Sequence, residues 1–389
     1  QPRATIDWNS FDIGANASVH FNQKNEDGVA QKDWAALNRI YDLNPSQIYG
    51  SLTADGKVYL INQNGILFGP GSRVNVNSII ASTLNLRDRD FLEGNLRFTA
   101  ENYQSPDYTH IELLESYLKG AMTDDDYTTY VRSNLALAAP SFDTTVANHG
   151  SITAAEGGFV YLIGPTAENS GEINAPSGNI GLVAALPFSG RPADADGLID
   201  YDIALTDAGS GRNEIHYHRY LSGGEAVNYE TGRLISDAGK VGMYGGIVNQ
   251  NGVVRSVTAV KRNGIIELLA TEKVSTGTDS LTSSPISDST DTAHESFGFS
   301  GGKIRLAGLD RMFLSTDGVK NDSSAYPARR IEHRGRIEAP SALEVSLEAE
   351  ERVFLENGSS IDVSGLWVDL PASASVVDAQ LNSVNLKDE

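Results

Sequence analysis

The side chains that could do chemistry are scattered rather than grouped. The densest acidic run is Asp124-Asp125-Asp126, a carboxylate cluster of the kind that binds calcium or serves a polysaccharide lyase or hydrolase. It precedes a helix-like stretch, where successive residues fan around the axis, so a dipole-favoured helix start is the better account. Asp194, Asp196, Asp200 and Asp202 have the spacing of one strand face and could chelate a cation, yet they lie beside Gly and Pro in a loop-like segment. His216 and His218 would share a strand face at a metal-binding spacing, but no third ligand is evident. Ser and His occur without a G-x-S-x-G elbow, and GGFVYLIG lacks the Lys of a phosphate loop. Cysteine is absent, which removes disulfides, thiolate catalysis and thiolate metal sites together. The expectation is therefore no catalytic residue, no metal, no cofactor and no enzyme.

Absence of cysteine also suits a chain that crosses an oxidising compartment unfolded, where mispaired thiols would trap it. The 389 residues carry 30 Lys+Arg against 51 Asp+Glu, a net charge of −21. That balance argues against a nucleic-acid groove and against docking on anionic lipid. With 40% hydrophobic residues the chain is not wholly disordered. No stretch approaches the roughly 18 apolar residues that span a bilayer, so no membrane insertion is expected. The opening QPRATIDWNS has no signal-peptide pattern.

What positions the residues is a degenerate repeat. NHGSITAAEGGFVYLIG from Asn148 and NSGEINAPSGNIGLVAA from Asn169 share one frame, offset by 21 residues at the start and 20 at the end. Asn and Gly lead (Asn148 and Gly150, Asn169 and Gly171), followed by Ile152 or Ile173, Gly158 or Gly178, and an apolar alternation. Weaker copies begin at Asn251, Gly335 and Asn357. Short alternating strands that close every ~20 residues describe the coils of a parallel β-helix; a β-sandwich is the alternative. Gly and Asn at the corners are expected to supply left-handed backbone angles.

Three stretches interrupt the repeat. Residues 93–140 read as a helical insertion, 190–232 as a mixed loop with EIHYHRYL as a hairpin strand, and 275–297 as a mobile Ser/Thr/Asp-rich loop; a further excursion is expected at 316–330.

The N-terminal stretch carries a family resemblance. Trp8-Asn9-Ser10-Phe11-Asp12-Ile13-Gly14, Val19-His20-Phe21-Asn22-Gln23, Leu37-Asn38-Arg39-Ile40, Ile48-Tyr49-Gly50, Asn62-Gln63-Asn64-Gly65-Ile66 and the run Val74 to Thr83 occur in order. Together they closely resemble the secretion domain of filamentous haemagglutinin-like exoproteins, the passengers of two-partner secretion in Gram-negative bacteria. The resemblance covers residues 4–88 closely and 141–186 more loosely. It implies a right-handed parallel β-helix, with 1–186 as the secretion-type domain and 187–389 as continuing repeats. Asn62-Gln63-Asn64-Gly65-Ile66 corresponds to the family's Asn-Pro-Asn-Gly-Ile signature, with Gln63 in place of Pro, and is the expected recognition segment for an outer-membrane transporter. Gly14 and Gly50 are expected structural turns. KNEDGVAQKDWAA stands where the family has Asn-Pro-Asn-Leu, and the chain starts near where the family's first-coil cap would end.

Read from the residues alone, Asn62 to Gly65 form a polar corner whose amides satisfy carbonyls that lack a ladder partner. The expected role is the secretion-module end of an extracellular or cell-surface adhesin, with a cell-surface or carbohydrate receptor. The alternatives are a homopolymeric filament stacked through an open first coil, and a β-helical polysaccharide lyase or hydrolase.

Overall fold

The computed structural model describes residues 2–99, 144–185, 203–207, 213–217, 223–259, 263–287, 301–309, 312–315, 318–321 and 328–365. These build a parallel β-helix of three faces. Strands of the first two faces join into one 17-stranded sheet, because Lys240–Gln250 and Ile265–Thr276 each run through both. The third face is a 10-stranded sheet, one strand per coil, so the described residues make ten coils.

The repeat frame is the coil register. Asn148 pairs with Asn169, Ile152 with Ile173, and Val160 and Leu162 with Ile180 and Leu182. Parallel stacking at about 4.8 Å per coil places each inward residue on its equivalent in the next coil. On the third face the inward column runs Val19, Leu52, Val74, Ile152, Ile173, Leu234, Val254, Thr282, Ile337, Ile361. At the N-terminal end Trp8, Phe11 and Phe21 close over the core, with Trp8 edge-on to Phe11 at 5.2 Å and Phe11 stacked on Phe21 at 6.4 Å.

First-face strands such as KVYLI and FVYLIG are apolar on both sides. Such runs need cover on their outer surface. It is supplied where the chain leaves the corner between the first and second faces, after Ser82, after Ala184 and after Ala307. The first two departures contribute a short helix, Asp88–Glu93, and a four-stranded antiparallel sheet of Asn85–Leu86, Leu96–Thr99, Ile203–Asp207 and Asn213–Tyr217. Leu86, Phe91, Phe98 and Leu205 pack on Leu37, Tyr59, Ile61, Tyr161 and Ile163 in a second apolar cluster.

Two arginines of the first coils fasten this strap. The Arg39 guanidinium, buried, donates to Asp88 Oδ1 and to Leu86 O, both at 2.9 Å. Burial alone would lower the Arg39 pKa, but Asp88 beside it reverses the sign and holds it above its ordinary value. At the other end Arg3 donates to Phe91 O at 2.9 Å and Leu92 O at 2.8 Å, a cation at a helix C-terminus. Replacing Arg39 with Met is expected to loosen the strap by about 1–3 kcal/mol, because Asp88 and the Leu86 carbonyl both lose the guanidinium. Hydrogen exchange should rise over residues 85–99 while the coil amides keep their protection.

Several expectations need correction. The corner glycines are not left-handed: Gly14, Gly50, Gly150 and Gly171 are absent from the positive-φ positions. Close stacking of coils explains three of them, since a Cβ at Gly50 would overlap Gly14 O, at Gly150 the Ser72 side chain, and at Gly171 Gly150 O. Gly14 has open space around it. Of the loop expected at 275–297, residues 288–297 lie outside the described residues, and 275–287 are instead the second half of the eighth coil, with the strand Leu281–Ser283. Hydroxyls make that possible without apolar anchors: Ser284 Oγ donates to Ser256 O at 2.8 Å and Ser280 Oγ to Gly277 O at 2.7 Å. The 190–232 excursion ends earlier than expected, because Glu225–Asn228 is a second-face strand of the sixth coil. Its hairpin is present as Ile203–Asp207 with Asn213–Tyr217. At 316–330, Gly318–Asn321 pairs antiparallel with Met312–Ser315, and Ala328 already begins the ninth coil's second-face strand.

Of the helical insertion expected at 93–140, only 93–99 is described: Glu93 ends the helix, Leu96–Thr99 is a strand, and 100–140 lies outside the described residues. Asp124-Asp125-Asp126, Asp194, Asp196, Asp200, Asp202 and His218 lie outside the described residues.

Candidate functional site

The Asn62 to Ile66 segment is the corner between the first-face strand Lys57–Ile61 and the second-face strand Ile66–Phe68. Val58, Leu60 and Ile66 point inward, so the chain must reverse within four polar residues. Asn62 does this with its own side chain: Oδ1 accepts the Asn64 N–H at 2.9 Å, and its carbonyl accepts the Gly65 N–H at 3.1 Å. Gly65 has φ +114°, the left-handed side that only glycine adopts cheaply, and a Cβ there would lie 3.0 Å from Thr145 O in the fourth coil.

The two asparagines also reach back one coil. Asn62 Nδ2 donates to Asn44 O at 3.1 Å and Ser46 Oγ at 3.0 Å, and Asn64 Nδ2 donates to Asp42 O at 2.8 Å. The Asp42–Ser46 segment is itself braced, because Asp42 Oδ1 accepts both the backbone N–H and the side-chain amide of Asn44. Ser46 N donates to Gly65 O at 3.0 Å, and Ile66 pairs with Ser46 on one side and Val146 on the other. Asn62 is fully buried and Gln63 is 5% exposed, so the folded corner hides most of its amides. Its chemistry is that of a clasp: it locks the second coil to the third and offers no nucleophile or acid.

A second polar assembly was only half visible in the sequence. Asn148 and Asn169, expected as turns, point inward as rungs of an amide ladder. Asn148 Nδ2 donates to Asn169 Oδ1 at 2.8 Å, Asn169 Nδ2 to Asn228 Oδ1 at 2.9 Å, and Asn228 Nδ2 to Gln250 Oε1 at 2.8 Å. The same register position holds Ile13, Ile48 and Phe68 in the preceding coils and Thr276, His333 and Leu355 in the following ones. Asn228 escaped sequence reading because the 190–232 interruption separates it from Asn169; the shared x-Asn ending of TVAN, TAEN and EAVN was the available signal. Among the described residues no three His, Asp or Glu side chains gather as metal ligands.

Residues 1–111 match the TPS (two-partner secretion) secretion domain family. Over 84 residues, 22% of this chain, the sequence is 48% identical to a heme/hemopexin-binding protein of Haemophilus influenzae. A heme/hemopexin-binding protein from Haemophilus influenzae strain Rd is 46% identical over 85 residues. These matches span 8% and 9% of the relatives' own length, so this chain aligns with less than a tenth of either. The crystal structure of the HMW1 secretion domain from Haemophilus influenzae covers 94% of each chain with a TM-score of 0.53 at 19% identity, a likeness of fold.

Proposed function

We propose, for a chain whose residues 1–111 match the two-partner-secretion domain family, that its first coils are the export module of a non-enzymatic surface protein of a Gram-negative bacterium. A dedicated outer-membrane transporter is the partner that such a module implies. The later coils extend the same stack as the stalk of an adhesin. The observation that carries this reading is the burial of the Asn62–Gly65 corner, whose amides are engaged by Asp42, Asn44 and Ser46. A transporter can read these side chains only before the third coil closes. Once closed outside the cell, the clasp withholds them and opposes return of the chain. Folding then supplies direction, because each added coil buries apolar side chains at about 25 cal/mol per Å².

The family match over residues 1–111 supports a role in export rather than in ligand choice. A filament stacked end to end is the less favoured reading. Trp8, Phe11 and Phe21 already cover the apolar end of the first coil, which leaves less apolar surface to drive stacking.

Replacing Asn64 and Gly65 together with Ala is the direct test. Co-expressed with its cognate transporter, the double variant is expected to reach the medium at a small fraction of the wild-type amount. Export at the wild-type level would overturn the assignment of this corner.

A further inference from the structure

A cavity of about 290 Å³ lies between the outer surface of the first face and the strap, with Arg3 and Lys57 on its wall. Three aromatic rings shape it. Tyr59 meets Phe91 edge-on at 5.8 Å and lies 30° from the plane of Phe159 at 6.4 Å. The strap helix forms one side through Phe91 and Gly94, whose position is fixed by the Arg3 guanidinium.

Two features mark this space as more than a packing gap. Tyr59 is 5% exposed and lines the cavity, yet its hydroxyl makes no hydrogen bond among the described residues. The hydroxyl is not sealed from solvent, so it opens onto the cavity as a donor that a bound acceptor can take over from water. Burial pushes the Tyr59 pKa far above its ordinary value despite the nearby Arg3, so the hydroxyl is a neutral donor throughout the physiological range. The second feature is charge. The chain as a whole has 51 acidic against 30 basic residues, yet the described wall carries two cations and no carboxylate. Lys57 is paired with Asp33 at 3.2 Å, but Asp33 is largely exposed and lies outside the described lining.

We propose that this cavity binds a small planar aromatic anion, its ring against Tyr59 and Phe159 and its carboxylate facing Arg3, Lys57 and the Tyr59 hydroxyl. Aromatic walls favour a flat ring over an aliphatic chain of equal size. The cations favour negative charge, and the phenol offers it a hydrogen bond. The volume sits at the lower end of the roughly 300–1,000 Å³ of small-molecule sites, which admits one or two rings and not a macrocycle. A ligand here would touch both coil and strap, so binding would hold the strap against the stack.

The test titrates the full chain with 4-hydroxybenzoate and benzoate, and with benzyl alcohol and cyclohexanecarboxylate as neutral and non-planar controls. Calorimetry and protein NMR are the readouts. Both aromatic acids are expected to saturate one site, with each control weaker by about tenfold or more. Tyr59→Phe, which keeps the ring and its packing, should weaken binding about threefold to tenfold. Leu96→Trp, which fills the cavity from the strap, should abolish it, with hydrogen exchange confirming that the coils remain folded. No saturable binding of either acid to the native chain would overturn the proposal, as would binding unchanged by Tyr59→Phe. Equal affinity for benzyl alcohol would overturn the assignment to an anion.

Discussion

Asn169→Ala is expected to destabilise the middle coils by about 3 kcal/mol, a large cost for truncating one side chain. The residue is fully buried and uses both ends of its amide: Oδ1 accepts from Asn148, and Nδ2 donates to Asn228 Oδ1 and to Gly171 O at 3.1 Å. Truncation therefore leaves a donor in the fifth coil's neighbour below and an acceptor in the neighbour above without their short bonds. It also frees a corner carbonyl and opens a small void. Water cannot repair this cheaply, because Asn148 and Asn228 are fully buried as well. The sharper form of the prediction is a double-mutant cycle. Asn169→Ala and Asn228→Ala should each cost about 3 kcal/mol, and together clearly less than their sum, with coupling of about 1–2 kcal/mol. The second truncation removes an acceptor that the first has already orphaned. Additive costs by urea denaturation would mean that each amide serves its own corner carbonyl and that the inter-coil bonds contribute nothing.

The ladder also shows what could be read from the chain and what could not. The Asn148 and Asn169 frame gave the coil register, because parallel stacking puts equivalent residues in one column and the column keeps its chemistry. The same rule hid the eighth coil. There the column changes to Thr276 and the third face to Thr282 and Ser283, so a hydrophobic pattern no longer reports burial although the residues are as enclosed as any. Glycine misled in a different way. Gly150 and Gly171 signalled a corner, but the reason is the closeness of the next coil rather than the sign of φ. At the candidate site the Asn62-Gln63-Asn64-Gly65 corner was legible as a turn. Its partners Asp42, Asn44 and Ser46 were not, because they sit one coil earlier, and a corner's sequence does not say which carbonyls its amides will meet. Arg39 and Asp88 illustrate the same limit over 49 residues, where no local pattern announces the pair.

His333 occupies the ladder column in the ninth coil and makes that coil and its neighbour sensitive to acid. Its side chain is buried, with Nε2 3.2 Å from Ser360 O and Nδ1 2.8 Å from Thr276 Oγ1. A carbonyl can only accept, so Nε2 carries the proton and Nδ1 accepts from the Thr276 hydroxyl. That hydroxyl oxygen already accepts the backbone N–H groups of Arg334 at 3.0 Å and Gly335 at 3.3 Å. A proton added to Nδ1 would face an oxygen with no lone pair left. Nor, among the described residues, do the neighbouring carboxylates compensate. On the same strand Glu332 is held by Arg334 and Lys273, and from the tenth coil Glu356 is held by Arg334. Leu355, the next residue in the column, is apolar. Burial accordingly lowers the His333 pKa below its ordinary 6.5, with the Ser360 bond opposing. Because the folded pKa is depressed, the unfolded segment binds the proton more readily, and stability is lost as pH falls below about 6.5. Each coil contacts only its neighbours, so coils can open in local units, and the loss should be local. Between about pH 7.5 and pH 5.5, hydrogen exchange corrected for intrinsic rates is expected to increase over residues 328–362 while coils three to seven keep their protection. His333→Gln supplies a donor for Ser360 and an acceptor for Thr276, as Gln250 does for its own corner, and should remove the pH dependence with little cost at neutral pH. If that variant opens with acid as the native chain does, the carboxylate–arginine pairs on the surface, not the buried ring, are what acid breaks.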